Sequence, residues 1–174
     1  MTAHNWLRGD YLISRDPSLL QIKAINKALG SDAVWWAGEL PEDALRDAVN
    51  NSLCLGIYHR PSLAAFDEAK PSSVHTNNPL EQVGLVRVIT DKVTFAYLTD
   101  VYILESHQGK GLGLWSLDIL NDELRSWSHL RRVMLLTTDK MHLFNKSLSM
   151  KDHKEFGGME GVSIAMVEGP GAQH

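Results

Sequence analysis

The residues best placed to do chemistry in this chain are Gln108-Gly109-Lys110-Gly111-Leu112-Gly113. Three glycines at alternate positions close a polar turn, with an apolar run before it and an amphipathic pattern directly after. At such a junction, bare backbone N–H groups and the positive end of a helix dipole converge. A phosphate can sit there without help from a basic side chain. Two common glycine motifs do not fit. The Walker pattern needs Gly-Lys followed by a hydroxyl residue, whereas Lys110 is followed by Gly111. The dinucleotide fingerprint G-x-G-x-x-G fails at Leu114, and this turn lies far from the start of the chain, where that fingerprint belongs. A third pattern, Gln/Arg-x-x-Gly-x-Gly/Ala, is met in full by residues 108–113.

These residues need elements to hold them. Val83–Thr90 and Val93–Leu104 read as two strands of an antiparallel hairpin turning at Asp91-Lys92. Apolar positions from Leu112 to Trp127 cover more than one face, as in a helix lying deep against a sheet. Arg132–Thr137 reads as a further strand, parallel to Val93–Leu104 because a helical crossover joins them. Lys140–Leu148 follows as a short helix, and the alternation over Val162–Val167 predicts a final strand.

In the first half, Tyr11–Ser14 is a short strand, and Asp16-Pro17 opens a helix that Gly30 stops. Pro41 opens a second helix, and Leu53–Tyr58 is a buried strand. Three prolines among Ser, Thr and Asn mark residues 60–80 as a loop insertion with one helical turn around Ala64–Ala69. The expected order is β-α-α-β-β-β-α-β-α-β, an α/β (α+β mixed) architecture in a single domain over 1–174.

Composition narrows the function classes. A chain of 174 residues with 44% hydrophobic and 22% charged content can bury one real core. The net charge of −4 argues against a nucleic-acid footprint, and no apolar run approaches a membrane span. The lone Cys54 fits a reducing compartment, reads as a small core residue, and leaves a cytoplasmic monomer or homodimer as the expectation. The eight histidines show no metal-ligand spacing, so no metal is expected.

The glycine turn resembles that of the GCN5-related N-acetyltransferase (GNAT) superfamily. The resemblance extends through Asp16-Pro17-Ser18, Trp36-Ala37-Gly38, Asn51-Ser52-Leu53-Cys54, Val86-Arg87-Val88, Phe95-Ala96-Tyr97-Leu98, Asp100-Val101 and Arg131-Arg132. It is similar to a branch of small acetyltransferases found in bacteria and fungi. The resemblance implies a central mixed sheet with antiparallel N-terminal strands and helices on its faces. It also implies a splayed parallel pair, formed by the fourth and fifth predicted strands.

Acetyl-CoA would be the cosubstrate, its pantetheine arm on Tyr102, Ile103 and Leu104 and its pyrophosphate on Gln108, Gly109, Lys110, Gly111, Leu112, Gly113 and Leu114. Direct attack by a primary amine, a small molecule or a protein amine, is implied. Tyr97 and Thr99 stand where some relatives place a glutamate base, which makes Asp100 the acid of that strand and the candidate proton relay or ammonium holder. A structural carboxylate at a strand bulge is its other reading.

Trp35, Trp36 and Arg87 are candidates for the acceptor pocket, with core packing as the alternative for the tryptophans and pairing with Asp91 or Asp100 for Arg87. The superfamily's tyrosine proton donor falls at Phe144 in one register and at Asn145, a candidate for the cofactor, in the other; neither is tyrosine. That departure keeps open a CoA-binding module that has lost catalysis. A nucleotide-binding switch is a further rival.

Overall fold

The computed structural model describes residues 4–60, 80–156, 161, 163–165, 167 and 170. Ten elements organise them: β1 (Asn5–Arg8), β2 (Tyr11–Ser14), α1 (Ile22–Leu29), α2 (Glu42–Asn50), β3 (Leu53–His59), β4 (Glu81–Thr90), β5 (Phe95–Ile103), α3 (Leu112–Arg125), β6 (Arg132–Met134) and α4 (Met141–Leu148). The strands form a sheet in the order β1-β2-β3-β4-β5-β6. Every neighbouring pair is antiparallel except β5 and β6, which run parallel. No helix among the described residues is long and apolar enough to cross a membrane.

The mixed sheet with a parallel pair at one end is the architecture expected, and its strand numbering shifts by one. β1 was not anticipated: Gly9-Asp10 makes a two-residue turn that pairs Arg8 with Tyr11, with Gly9 at φ 55° supplying the left-handed conformation such hairpins need. Asp16 does cap, but it caps a separate 3-10 turn, Pro17–Leu19; α1 begins only at Ile22. Gly30 ends α1 as expected. The β4–β5 turn is wider than two residues. The Asp91 carboxylate accepts from the Thr94 hydroxyl and from the amides of Val93, Thr94 and Phe95, which together hold it well below the usual carboxylate range.

The expected last strand is absent where it can be seen. Ser163, Ile164, Ala165 and Val167 adopt no strand, and Ile164 and Val167 are exposed, so their alternation has no buried face to serve. The turn expected around Ala64–Ala69 lies outside the described residues, as does all of the insertion between 61 and 79.

Two apolar layers cover the sheet. α3 packs on one face against Leu53, Leu55, Ile57, Val86, Val88, Ala96 and Leu98. α1 and α2 pack on the other against Cys54, Leu85 and Tyr102. In β5 the two faces change parity partway along. Ala96 and Leu98 join the α3 layer, yet Tyr102 joins the α1/α2 layer.

The ladder explains this. Arg87 pairs with Thr99 and Leu85 with Tyr102, so two residues of β5, Asp100 and Val101, stand opposite Val86 alone. Asp100 takes the left-handed conformation at φ 47°, where aspartate is among the few non-glycine residues tolerated. Its Oδ2 accepts from Arg87 Nε–H at 2.6 Å, and its Oδ1 from the Thr99 hydroxyl at 3.2 Å. Arg87 also donates to Ser52 Oγ at 3.2 Å, tying the bulge to the start of β3.

The parallel pair is splayed. β6 follows β5 only from Phe95–Arg132 to Tyr97–Met134, while β5 continues to Ile103. The strand expected over 132–137 therefore stops three residues in, leaving one edge of β5 unmatched by β6 from Leu98 onward.

Two substitutions probe this region. A Cβ on Gly84 would lie 2.7 Å from the Tyr102 carbonyl oxygen and 2.7 Å from Ile103 Cδ1. Gly84→Ala should therefore lower stability by about 1–3 kcal/mol in chemical denaturation. Asp100→Asn keeps a residue that tolerates φ 47° but leaves the half-buried Arg87 without its counter-ion. A loss of about 3 kcal/mol is expected by the same measurement.

Candidate active site

The glycine turn sits where β5 ends. Leu104 still donates its amide to the Val83 carbonyl (2.8 Å). A 3-10 turn then spans Glu105–His107, and Gln108 Nε2 reaches back to the Ile103 carbonyl (2.9 Å), closing the loop over the strand end. Gly109 and Gly111 have φ of 74° and 71°, and Gly111 is the residue that enters α3. Neither conformation suits a side chain with a Cβ. No side chain caps α3, so its first-turn amides lack the oxygen acceptor that helix starts commonly recruit.

Among the described residues, a Cβ on Gly109 or Gly113 would meet nothing within 4 Å. Leu112 is buried in the α3 layer, so only its backbone faces the turn. The geometry is that of an anion seat, built from backbone and helix dipole.

The basic side chains divide. Lys110 turns from the seat: its Nζ donates to the Tyr11 hydroxyl (2.9 Å) and the Ser106 carbonyl (3.3 Å). Arg8, at the end of β1, leans in. It donates to the Lys110 carbonyl (3.2 Å), stacks over the Trp115 ring at 4.4 Å, and would lie 3.7 Å from a Cβ on Gly111. Arg8 was not among the residues expected at this turn. The signal that could have found it is the Gly9-Asp10 hairpin, which folds the N-terminal segment back alongside Tyr11.

Along β5 the side chains of Tyr102 and Ile103 are used in packing. Tyr102 belongs to the α1/α2 layer, where burial, and then the Asp100 charge, push its hydroxyl pKa up. Ile103 packs against the α3 layer, and Leu104 against both layers. Only the backbone of this stretch is free to meet a ligand in the splay. Asn145, on α4, donates from Nδ2 to the Met150 carbonyl at 2.9 Å. Phe144 is buried in the α3 layer. The tyrosine missing from the sequence is thus replaced by a core side chain in one register and a loop-bracing amide in the other.

The ladder pairs Cys54 with Arg87, Arg87 with Thr99 and Ile89 with Tyr97, so these side chains share the α1/α2 face. Arg87 and Asp100 take the alternative roles held open for them: they pair with each other at the bulge, and the Thr99 hydroxyl is engaged there too. Cys54 is buried, its thiol pKa pushed up to about 12 mainly by burial, with the nearby Arg87 charge opposing. It is an inert core residue. Trp35 and Trp36 follow the 3-10 turn Asp32–Val34, which touches β5. Their rings meet edge to face at 5.9 Å, and they remain 56% and 39% exposed. Core packing does not account for them.

One grouping escaped the sequence entirely. His59, Glu81 and His107 come together from β3, β4 and the 3-10 turn after β5, although no spacing links them. Tyr11 bonds His107 through its hydroxyl (3.0 Å). The His107 pKa is lowered, first by burial and then by the charges of Lys110 and His59, with Glu81 opposing.

Comparison with known proteins agrees with this geometry. Residues 34–148 match the Acetyltransferase (GNAT) family. A Gibberella zeae protein named "Putative acetyltransferase FG08082" is 65% identical over 170 residues, covering 98% of this chain and 96% of that one. A Xanthomonas campestris structure assigned to the GNAT family is 27% identical with a TM-score of 0.63, covering 91% and 93% of the two chains. The Streptococcus pneumoniae GNAT family protein SP0256, at 18% identity and a TM-score of 0.53, covers 92% and 97% and shares the fold. With an open helix start at the end of a splayed strand, and these relatives along nearly its whole length, the chain belongs to the GNAT acetyltransferase family and is an N-acetyltransferase.

Proposed function

We propose that this enzyme transfers the acetyl group of acetyl-CoA directly to a primary amine, a small molecule in the first instance, in a ternary complex. The observation that carries this reading is the uncapped start of α3, whose glycine turn meets no described residue at the end of the strand edge that β6 leaves unmatched. A pyrophosphate on the amides of residues 109–114 satisfies that helix start. The peptide-like amides of a pantetheine arm satisfy the backbone of β5 beyond Tyr97.

On this reading the thioester lies near the bulge at Asp100. The amine nitrogen, its ammonium proton given up to solvent, attacks the thioester carbonyl carbon; the C–N bond forms, the nitrogen releases its extra proton to solvent, and the C–S bond breaks as the CoA thiolate departs. Trp35 and Trp36 offer aromatic faces to the acceptor, on the side of the sheet that carries Tyr97 and Thr99; a cation–π contact there suits an ammonium group before it loses its proton. Arg87 and Asp100 act as positioning residues, holding the bulge that sets the strand's path. No side chain is assigned as acid for the thiolate, because Phe144 has no proton to give and Asn145 braces the loop at Met150. Solvent supplies that proton.

The test is CoA affinity together with thiol release across a panel of amines. Gly113 lies inside α3 with ordinary helical backbone, so Gly113→Val adds bulk to the open seat at little cost to folding. CoA affinity should fall at least about tenfold while the melting temperature stays close to wild type. Unchanged affinity would remove the turn from the cofactor site, and tight binding of acetyl-CoA without turnover on any amine would favour a CoA-binding module instead. Arg8→Gln should weaken CoA by about threefold to tenfold, with the difference shrinking at high salt, as expected for an exposed charge beside a phosphate.

A further inference from the structure

We propose that His59, Glu81 and His107 form a binding site for one divalent transition-metal ion of the zinc type, separate from the acetyl-transfer chemistry. One ring nitrogen from each histidine and one carboxylate oxygen lie within 4.8 Å of one another. Zinc with bonds of about 2.0–2.2 Å holds its ligand atoms about 3.3–3.6 Å apart, so small side-chain rotations close the shell.

The pieces are held by the fold. His59 ends β3 and Glu81 begins β4, and the ladder pairs the two directly. Yet His59 Nδ1 and Glu81 Oε2 stand 3.9 Å apart, beyond hydrogen-bond reach and close to the spacing of two ligands on one ion. His107 arrives from the 3-10 turn after β5, its Nδ1 3.0 Å from the Tyr11 hydroxyl. That contact orients the ring, as outer-shell partners of metal-bound histidines do. The rings of Tyr11 and His107 each pack against His59, at 5.2 and 5.1 Å between centroids, so both imidazoles are already ordered.

The donor set decides the ligand class. Two imidazoles and one carboxylate suit zinc or its borderline neighbours better than magnesium or calcium, which call for oxygen shells. An anion at the same spot would meet the Glu81 carboxylate. Lys110 is the nearby opposing charge, and its Nζ is held on Tyr11 and Ser106. Three protein ligands leave positions for water, an open site rather than a closed structural one. Its place in the molecule gives it a consequence: the ion would fasten the ends of β3 and β4 to the turn whose next residue, Gln108, begins the glycine seat.

The experiment is calorimetric titration of tag-free, chelator-treated protein with Zn²⁺ alone, with thermal melting alongside. One equivalent should bind, saturating Zn²⁺ should raise the melting temperature by about 5 °C, and a large excess of Mg²⁺ should leave the Zn²⁺ isotherm unchanged. Glu81→Gln, His59→Gln and His107→Gln should each weaken binding at least about tenfold, and Tyr11→Phe by about tenfold. Glu81 is largely exposed, so Glu81→Gln carries the test even where a histidine variant loses its fold. The proposal is overturned if the wild type binds no Zn²⁺, or if Glu81→Gln and the folded histidine variants bind it as the wild type does, which would place the ion on other histidines. CoA binding and turnover are read separately, so failure here leaves the acetyl-transfer reading intact.

Discussion

One residue inserted in a strand sets the geometry of this site. The ladder between β4 and β5 pairs Arg87 with Thr99 and Leu85 with Tyr102, forcing Asp100 and Val101 to share one partner. A non-glycine residue in the left-handed region costs about 1–2 kcal/mol, and a mostly buried ion pair is a weak source of net stability. The Arg87–Asp100 contact is therefore better understood as a register device than as a stabiliser. By holding the bulge it turns Tyr102 into the α1/α2 layer while Val101 and Ile103 pack against the α3 layer. Without that phase change the apolar residues at the end of β5 would face the wrong layers, and the strand would deliver the glycine turn to another place.

Downstream of the bulge, the proposed anion seat rests on backbone geometry. Two left-handed glycines let the chain enter α3 without a capping side chain, and β6 departs after Tyr97, so among the described residues an uncapped helix start and an unpaired strand edge lie in sequence along one path. A helix terminus and a strand edge left open are both unfavourable in a folded protein unless something fills them. In the proposed reading, an extended ligand with phosphates at one end and amides along its length would fill both. On the α1/α2 side, Trp35 and Trp36 leave an exposed aromatic surface, the one proposed for the acceptor.

Much of this was legible in the sequence where the signal was local. β2 and β3, the end of α1 at Gly30 and the glycine turn were read within a residue or so, because glycine conformations and apolar runs act over a few positions. β1 was missed because its four residues are exposed or half-exposed and carry little alternation; only Gly9-Asp10 marks it. The bulge was open as one reading of Asp100, yet a one-residue phase shift leaves the strand looking strand-like throughout. Arg87, a candidate for the acceptor pocket, and Thr99, at the glutamate-base position, make contacts at the bulge that only the cross-strand pairing reveals. The strand expected after residue 161 shows the opposite failure, since alternation without a neighbouring strand does not make a sheet. The His59–Glu81–His107 group has no local signature, because its members sit on elements that only the antiparallel ladder and the β5 turn bring together.

The most direct test of the account is a crystal structure with acetyl-CoA bound. The account predicts pyrophosphate oxygens within hydrogen-bond distance of the amides of residues 109–114, and the pantetheine arm paired to the open edge of β5 beyond Tyr97. A contradicting result would be CoA seated elsewhere, for example in the cavity of about 280 Å³ lined by Leu124, Trp127, Leu130, Val133 and Leu148, with the glycine turn untouched.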